Sequence, residues 1–250
     1  MTNSFNSLCD DFYVDMHVNT ELDLPSERDT VLTFFERIRK QFPMMSNFYR
    51  RDNGDFCLEQ YHEGEKYRWA MLELDRIRAG CANPADMEEA YSVQRLVLEL
   101  APYMLGVSNL DIDSLDVTFS MDFDYCGNHN EVIADAFFST SAFSSFLELP
   151  LARCAGLNPT AVFTLDKDCC TQARISVESR TDIYEVRNGK FKQDEPISLY
   201  FTIRQQGKCH EHFDALSSFD RQCRTAEELM AEKIIPNFVG PLTNAIAQRR

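Results

Sequence analysis

Five polar residues alternate along one stretch of the chain: Asp116, Thr118, Ser120, Asp122 and Asp124. On an extended strand, alternate side chains project to one side about 7 Å apart. Asp122 and Asp124 are thereby placed to flank a hydrated cation or a basic ligand group, with Asp116 about 20 Å further along. Two carboxylates are a minority of the oxygen shell that a hard cation needs. The solvated side of an antiparallel sheet shows the same alternation, and like charges two apart on a covered face raise each other's pKa. Thr118, Ser120, Asp122 and Asp124 are the ligand-binding candidates. His129, in the turn Gly127-Asn128-His129-Asn130, joins them as a protonation switch if Asp124 or Glu131 lies near its ring. A solvent-exposed turn histidine is the plainer alternative.

Cys209, His210 and His212, with Cys169-Cys170 upstream, are soft donors in a number that suits zinc. Their spacing fits no zinc ribbon or finger, and adjacent cysteines chelate one ion poorly. They stand as weak metal candidates, and no cofactor is expected. A thiol–imidazole nucleophile at Cys209 and His212 requires a lowered thiol pKa and an oxyanion hole, and the sequence identifies neither. The nine cysteines are odd in number and scattered, without a C-x-x-C pair. With no basic and apolar leader at residues 1–11, they read as reduced thiols of a cytoplasmic protein. No apolar run has the length of a membrane span.

Charge is unevenly placed. Forty acids against 25 bases give a net −15 and a pI near 4.7. From Leu96 to Ala152 there is no Lys or Arg, whereas nine Asp and Glu fall there. An acidic surface disfavours binding to nucleic acid, which needs phosphate neutralisation. Bases cluster at Arg37, Arg39, Lys40, Arg50 and Arg51. The first three suit the negative end of a helix. The whole set is also a candidate interaction patch for an acidic partner or for the acidic stretch of a second copy.

The elements that must position these residues follow from periodicity. Phe12–Asn19 alternates as a half-buried strand. A helix opens at Pro25-Ser26 and ends at Pro43, with Val31, Leu32, Phe35, Ile38 and Phe42 as its stripe. Strands are expected at about 47–51, 55–60 and 66–76, then a helix from Asn83-Pro84 to Gly106. The long strand 113–125 carries Val117, Phe119, Met121 and Phe123 on the side opposite the polar alternation. Residues 131–138 read as its continuation or partner, and 141–149 as a short helix. Strands follow at 160–166, 171–179 and 197–205, with a hairpin turning at Asn188-Gly189. A C-terminal helical region runs to Ala247, kinked or split at Pro236 and Pro241.

The fold class is therefore α+β: antiparallel sheets with long helices packed on one face. The order of elements suggests two pseudo-repeated β-α-β-β-β-α halves, 1–107 and 108–250, which equally compose one continuous domain. Such a half is similar in architecture to a helix-grip or TBP-like unit, and architecture alone does not imply function. No phosphate-binding loop, dinucleotide fingerprint or nucleophile elbow occurs. The sequence points to a non-enzymatic binding or protein-interaction module with an acidic sheet face, forming a homodimer or engaging a protein partner, away from membranes and nucleic acid. The competing reading is a small-molecule-binding domain or enzyme using carboxylates in a cleft between the halves. The aromatic residues Tyr61, Tyr67, Trp69, Phe119 and Phe123 are expected in the core, or alternatively around a sheet-lined pocket.

Overall fold

A computed structural model describes residues 5–61, 66–209 and 213–249. Its strands are β1 (Asp11–Thr20), β2 (Met45–Arg50), β3 (Phe56–Gln60), β4 (Tyr67–Leu72), β5 (Arg76–Ala82), β6 (Ile112–Phe123), β7 (Thr160–Thr164), β8 (Thr171–Glu178) and β9 (Ile197–Gln206). They form one antiparallel sheet in the order β2-β3-β4-β5-β1-β6-β9-β8-β7. The helices are α1 (Arg28–Gln41), α2 (Met87–Met104), α3 (His129–Phe138), α4 (Ser144–Leu147), α5 (Ile183–Asn188), α6 (Ala215–Leu229) and α7 (Gly240–Arg249). The protein is thus mixed α+β, with a nine-stranded antiparallel sheet and several helices. No helix among the described residues is long and apolar enough to cross a membrane.

The centre of the sheet is the pair β1–β6. Phe12 lies opposite Met121, Val14 opposite Phe119 and Met16 opposite Val117. All six are fully buried, as are Leu199 and Ile203 of β9. Phe12 and Phe119 meet edge to face, their ring centroids 5.7 Å apart, a favoured geometry for aromatic pairs. Helix α2 packs against β5 and β4, and α6 against β6 and β9. The Gln94 amide of α2 donates to the Val14 carbonyl. The 107/108 boundary falls between α2 and β6, so the β1–β6 ladder joins both parts of the chain in one sheet.

Several elements depart from the periodicity reading. Residues 66–76 turn inside the stretch read as one strand, giving β4 and then β5. Residues 131–138 are helical rather than extended. Asn128 caps this helix by accepting from the Asn130 N–H, and its amide meets Glu131 three residues on, a capping signature. The hairpin expected at Asn188-Gly189 is instead the end of α5. Asp182 and Glu185 form a reciprocal capping box, and Gly189 closes the helix at φ 64°, where glycine avoids a Cβ clash. At the C-terminus, Pro236 neither breaks nor splits the helical run. Residues Met230–Val239 adopt a π-helix between α6 and α7, whose wider turn accommodates the missing N–H. Pro241 is the second residue of α7, directly after the π-helical segment.

Candidate functional site

The residues interleaved with the buried set line two adjoining concavities of about 430 Å³ and 390 Å³. Every lining residue comes from a strand, except Arg51, which directly follows β2. Asp15, Arg78, Ser120 and Tyr200 border both. The first concavity lies over β1, β6, β9 and β8 and is charged and hydroxylic. The second lies over β1, β4 and β5 and is aromatic.

Strand pairing builds the charged concavity. Asp116 is opposite Arg204 in the β6–β9 register, and the guanidinium donates to both carboxylate oxygens at 2.7 and 2.6 Å. The Asp116 side chain is 5% exposed and that of Arg204 44%, so a buried carboxylate is held by a cation that reaches into solvent. One step along, the hydroxyls of Thr118 and Thr202 hydrogen-bond at 2.8 Å. On β1, Asp15 Oδ2 accepts from Arg78 Nη2 at 2.7 Å and lies 2.9 Å from His17 Nε2. Burial pushes the Asp15 carboxyl up, but the hydrogen bonds and charges of His17 and Arg78 outweigh it and hold the group below its ordinary value. Asp15 Oδ1 and Arg78 Nε are buried with no hydrogen-bond partner. Arg174 of β8 lies between Val162 and Thr202 in register and, among the described residues, has no carboxylate within ion-pair distance.

The aromatic concavity rests on one missing side chain. Gly80 faces Trp69 in the β4–β5 register, and a Cβ at Gly80 would lie 2.0 Å from the indole ring. The ring therefore folds across the glycine, tilted against Tyr67 at a centroid distance of 5.4 Å. Trp69, Cys57, Met71 and Ala82 form a small apolar cluster with Tyr13, Tyr49 and Tyr67 around it. Asp122 enters from β6, accepting from Ser198 at 2.6 Å, and lines this concavity together with Tyr13. Burial raises the Asp122 carboxyl above its ordinary value; Ser198 and Arg180 oppose the shift, while Asp11 and Asp124 add to it.

Of the sequence candidates, Thr118 and Ser120 line the charged concavity, and Ser120 and Asp122 the aromatic one. Asp124 lies beyond β6, exposed, and borders neither concavity, so the two carboxylates do not converge. His129 is also elsewhere and is neither a binding residue of this face nor an exposed turn histidine. It is 2% exposed at the start of α3. Nδ1 accepts from the Arg180 N–H at 3.2 Å, which leaves Nε2 to donate to the Tyr125 carbonyl at 2.9 Å. Burial lowers its pKa, against the Tyr125 carbonyl and the charges of Glu185 and Glu195, which raise it.

The expected acidic face is instead one of mixed charge. Asp116 of β6 pairs with Arg204 of β9 and Asp15 of β1 with Arg78 of β5, partners that no local pattern could show, and Arg174 of β8 adds a further cation to the face. The basic cluster divides as well. Arg37, Arg39 and Lys40 are exposed on α1. Arg50 stacks on Phe56 at the β2–β3 turn, and Arg51 reaches the aromatic concavity 3.9 Å from Glu59.

Cys209 is disulfide-bonded to Cys170, which corrects the reading of uniformly reduced thiols. The β8–β9 ladder extends to a Gln206 N–H to Cys170 carbonyl bond and brings the two Cα atoms within 5.8 Å, inside the span a disulfide needs. His210 and His212 lie outside the described residues. No cluster of three metal-ligating side chains occurs among those described. Burial pushes the Cys81 thiol up to about 12, keeping it protonated and unreactive.

Trp69 and Tyr67 border the aromatic concavity, whereas Phe119 and Phe123 are core and Tyr61 is exposed. Asp15, Arg78, Arg174, Tyr200 and Arg204 were not singled out from the sequence. The alternations Gln172-Arg174-Ser176-Glu178 and Ser198-Tyr200-Thr202-Arg204 carried the available signal. No protein-family model matches the chain, and no curated protein is similar to it in sequence.

Proposed function

We propose that the protein is a binding module that receives a segment of another protein on the sheet face bearing the two concavities. We also infer that the helices pack on the opposite face and leave this one open. The strand order runs outward from the central pair as β1-β5-β4-β3-β2 on one side and β6-β9-β8-β7 on the other. That arrangement supports a pseudo-repeat, with β1 corresponding to β6 and α2 to α6.

One observation carries the reading. An aromatic group (Tyr13, Tyr67, Trp69) adjoins an arginine group (Arg78, Arg174, Arg204) across shared residues, and polar atoms of Asp15 and Arg78 are left without partners. Tyr, Trp and Arg are the residue types that dominate protein interfaces. Asp15 and Asp116 accompany Arg78 and Arg204, so the face presents alternating charge. That suits a polypeptide with both signs better than a polyanion. A second reading, a small polar ligand in the aromatic concavity, is favoured by the raised carboxyl of Asp122 beside Tyr13 and Ser198.

Peptides selected from a displayed library test the proposal, with the Arg174→Glu/Tyr200→Ala variant as the control surface. The selected peptides should bind this variant at least about tenfold more weakly, a loss of about 1.4 kcal/mol. Equal binding to both proteins would overturn the reading.

A further inference from the structure

The two edges of the sheet differ in how they are protected against pairing. Edge strands carry unpaired N–H and C=O groups, and proteins blunt them with charge, proline or a bulge. Strand β2 has an irregular register against β3 between Met45 and Asn47 and ends in Arg50. Strand β7, Thr160-Ala161-Val162-Phe163-Thr164, has no charged residue and no proline. Its register against β8 is regular throughout. Val162 is 55% exposed and Phe163 59%.

Alternation fixes which β7 groups are free. The Val177 N–H donates to the Pro159 carbonyl, and the Leu165 N–H to that of Thr171. Between these bonded pairs, Ala161 and Phe163 exchange bonds with Ile175 and Ala173. The backbone groups of Thr160, Val162 and Thr164 therefore point outward.

We propose that a second copy of this chain occupies this edge, its own β7 pairing antiparallel about a two-fold axis at Val162. In that register Val162 meets Val162 of the second copy, Thr160 meets Thr164, and the small Ala161 meets the large Phe163. The outward-pointing residues are the ones that must bond, giving up to about six ladder hydrogen bonds. No like charges face one another within the paired strands. The interface is isologous, as a closed dimer requires.

Exposed apolar side chains on the edge support the same occupant. Val162 and Phe163 are more than half exposed, and Leu165 directly after β7 is 41% exposed, so pairing removes apolar surface from water. Val162 also borders the charged concavity, so pairing sets the binding faces of the two copies side by side.

Sedimentation equilibrium of the full chain from about 1 to about 200 µM, at about 50 and 500 mM salt, tests the pairing. The wild type should form a dimer that tightens with salt, because two bodies of net charge −15 repel except at the uncharged strand. Val162→Pro removes only an outward N–H, so it should weaken the dimer at least tenfold while leaving thermal unfolding of the monomer in place. Val162→Lys should do the same by placing like charges together. A wild type that stays monomeric over this range would overturn the proposal, as would a dimer unaffected by both variants. A dimer that salt dissociates and that Arg37→Glu/Arg39→Glu abolishes would also overturn it, by showing that opposite-charge patches make the contact.

Discussion

The charged and aromatic concavities occupy one sheet and share four residues, yet they are held in different ways. The charged one depends on pairing: Asp116 is buried because Arg204 reaches across from the next strand with both nitrogens. The aromatic one depends on shape, since Trp69 lies where Gly80 has no side chain. Removing a charge should therefore damage the first, and adding a methyl group should damage the second. On the proposed reading, a partner supplies an apolar side chain to the aromatic half and ionic groups to the charged half.

The largest expected effect is on the charged side. Arg204→Ala strands the Asp116 carboxylate and should cost about 2–3 kcal/mol in chemical denaturation. That is below the ~3–5 kcal/mol for breaking a fully buried pair, because the guanidinium is half in solvent. Arg204→Met combined with Asp116→Asn should recover most of this loss. If Arg204→Ala alone is neutral, pairing does not hold this half in place.

On the aromatic side, Gly80→Ala should cost about 1–3 kcal/mol through overpacking. It should also shift the emission of Trp69, the only tryptophan in the chain, to the red as the ring is displaced towards water. Unchanged emission would show that the glycine is not what seats the ring.

The smallest effects are those of pH, and they have opposite signs in the two halves. The lowered carboxyl of Asp15 contributes stability that is present above its ordinary pKa and is lost as pH falls through the folded value. The raised carboxyl of Asp122 favours the fold only while protonated, and that contribution is lost as pH rises through the folded value. Asp122→Asn should therefore raise the melting temperature slightly at pH 7 and leave it unchanged near pH 3. A lower melting temperature at pH 7 would contradict the assignment.

Much of the sheet was legible from the sequence. The alternation in β1 and β6 gave both strands and the side each residue faces, so Thr118, Ser120 and Asp122 were placed on the correct surface. What governs that surface was not legible, because it is set by register between distant strands. Asp116 and Arg204 are 88 positions apart, and Glu131 and Asp135 likewise take their partner, Arg249, from outside the acidic stretch. Two helices were missed for a different reason. The pairs Asn128/Glu131 and Asp182/Glu185 are capping signals, and their local hydrogen bonds prevail over weak alternation. The Trp69–Gly80 contact and the Cys170–Cys209 bridge likewise arise from neighbouring strands rather than from sequence spacing.

The emission of Trp69 during titration with a selected peptide tests the central claim most directly. If the two halves form one binding face, the signal should saturate at the Kd found by an independent method, and Arg174→Glu should weaken both equally although Arg174 borders only the charged concavity. Binding that leaves Trp69 emission unchanged, or an emission change indifferent to Arg174, would contradict it.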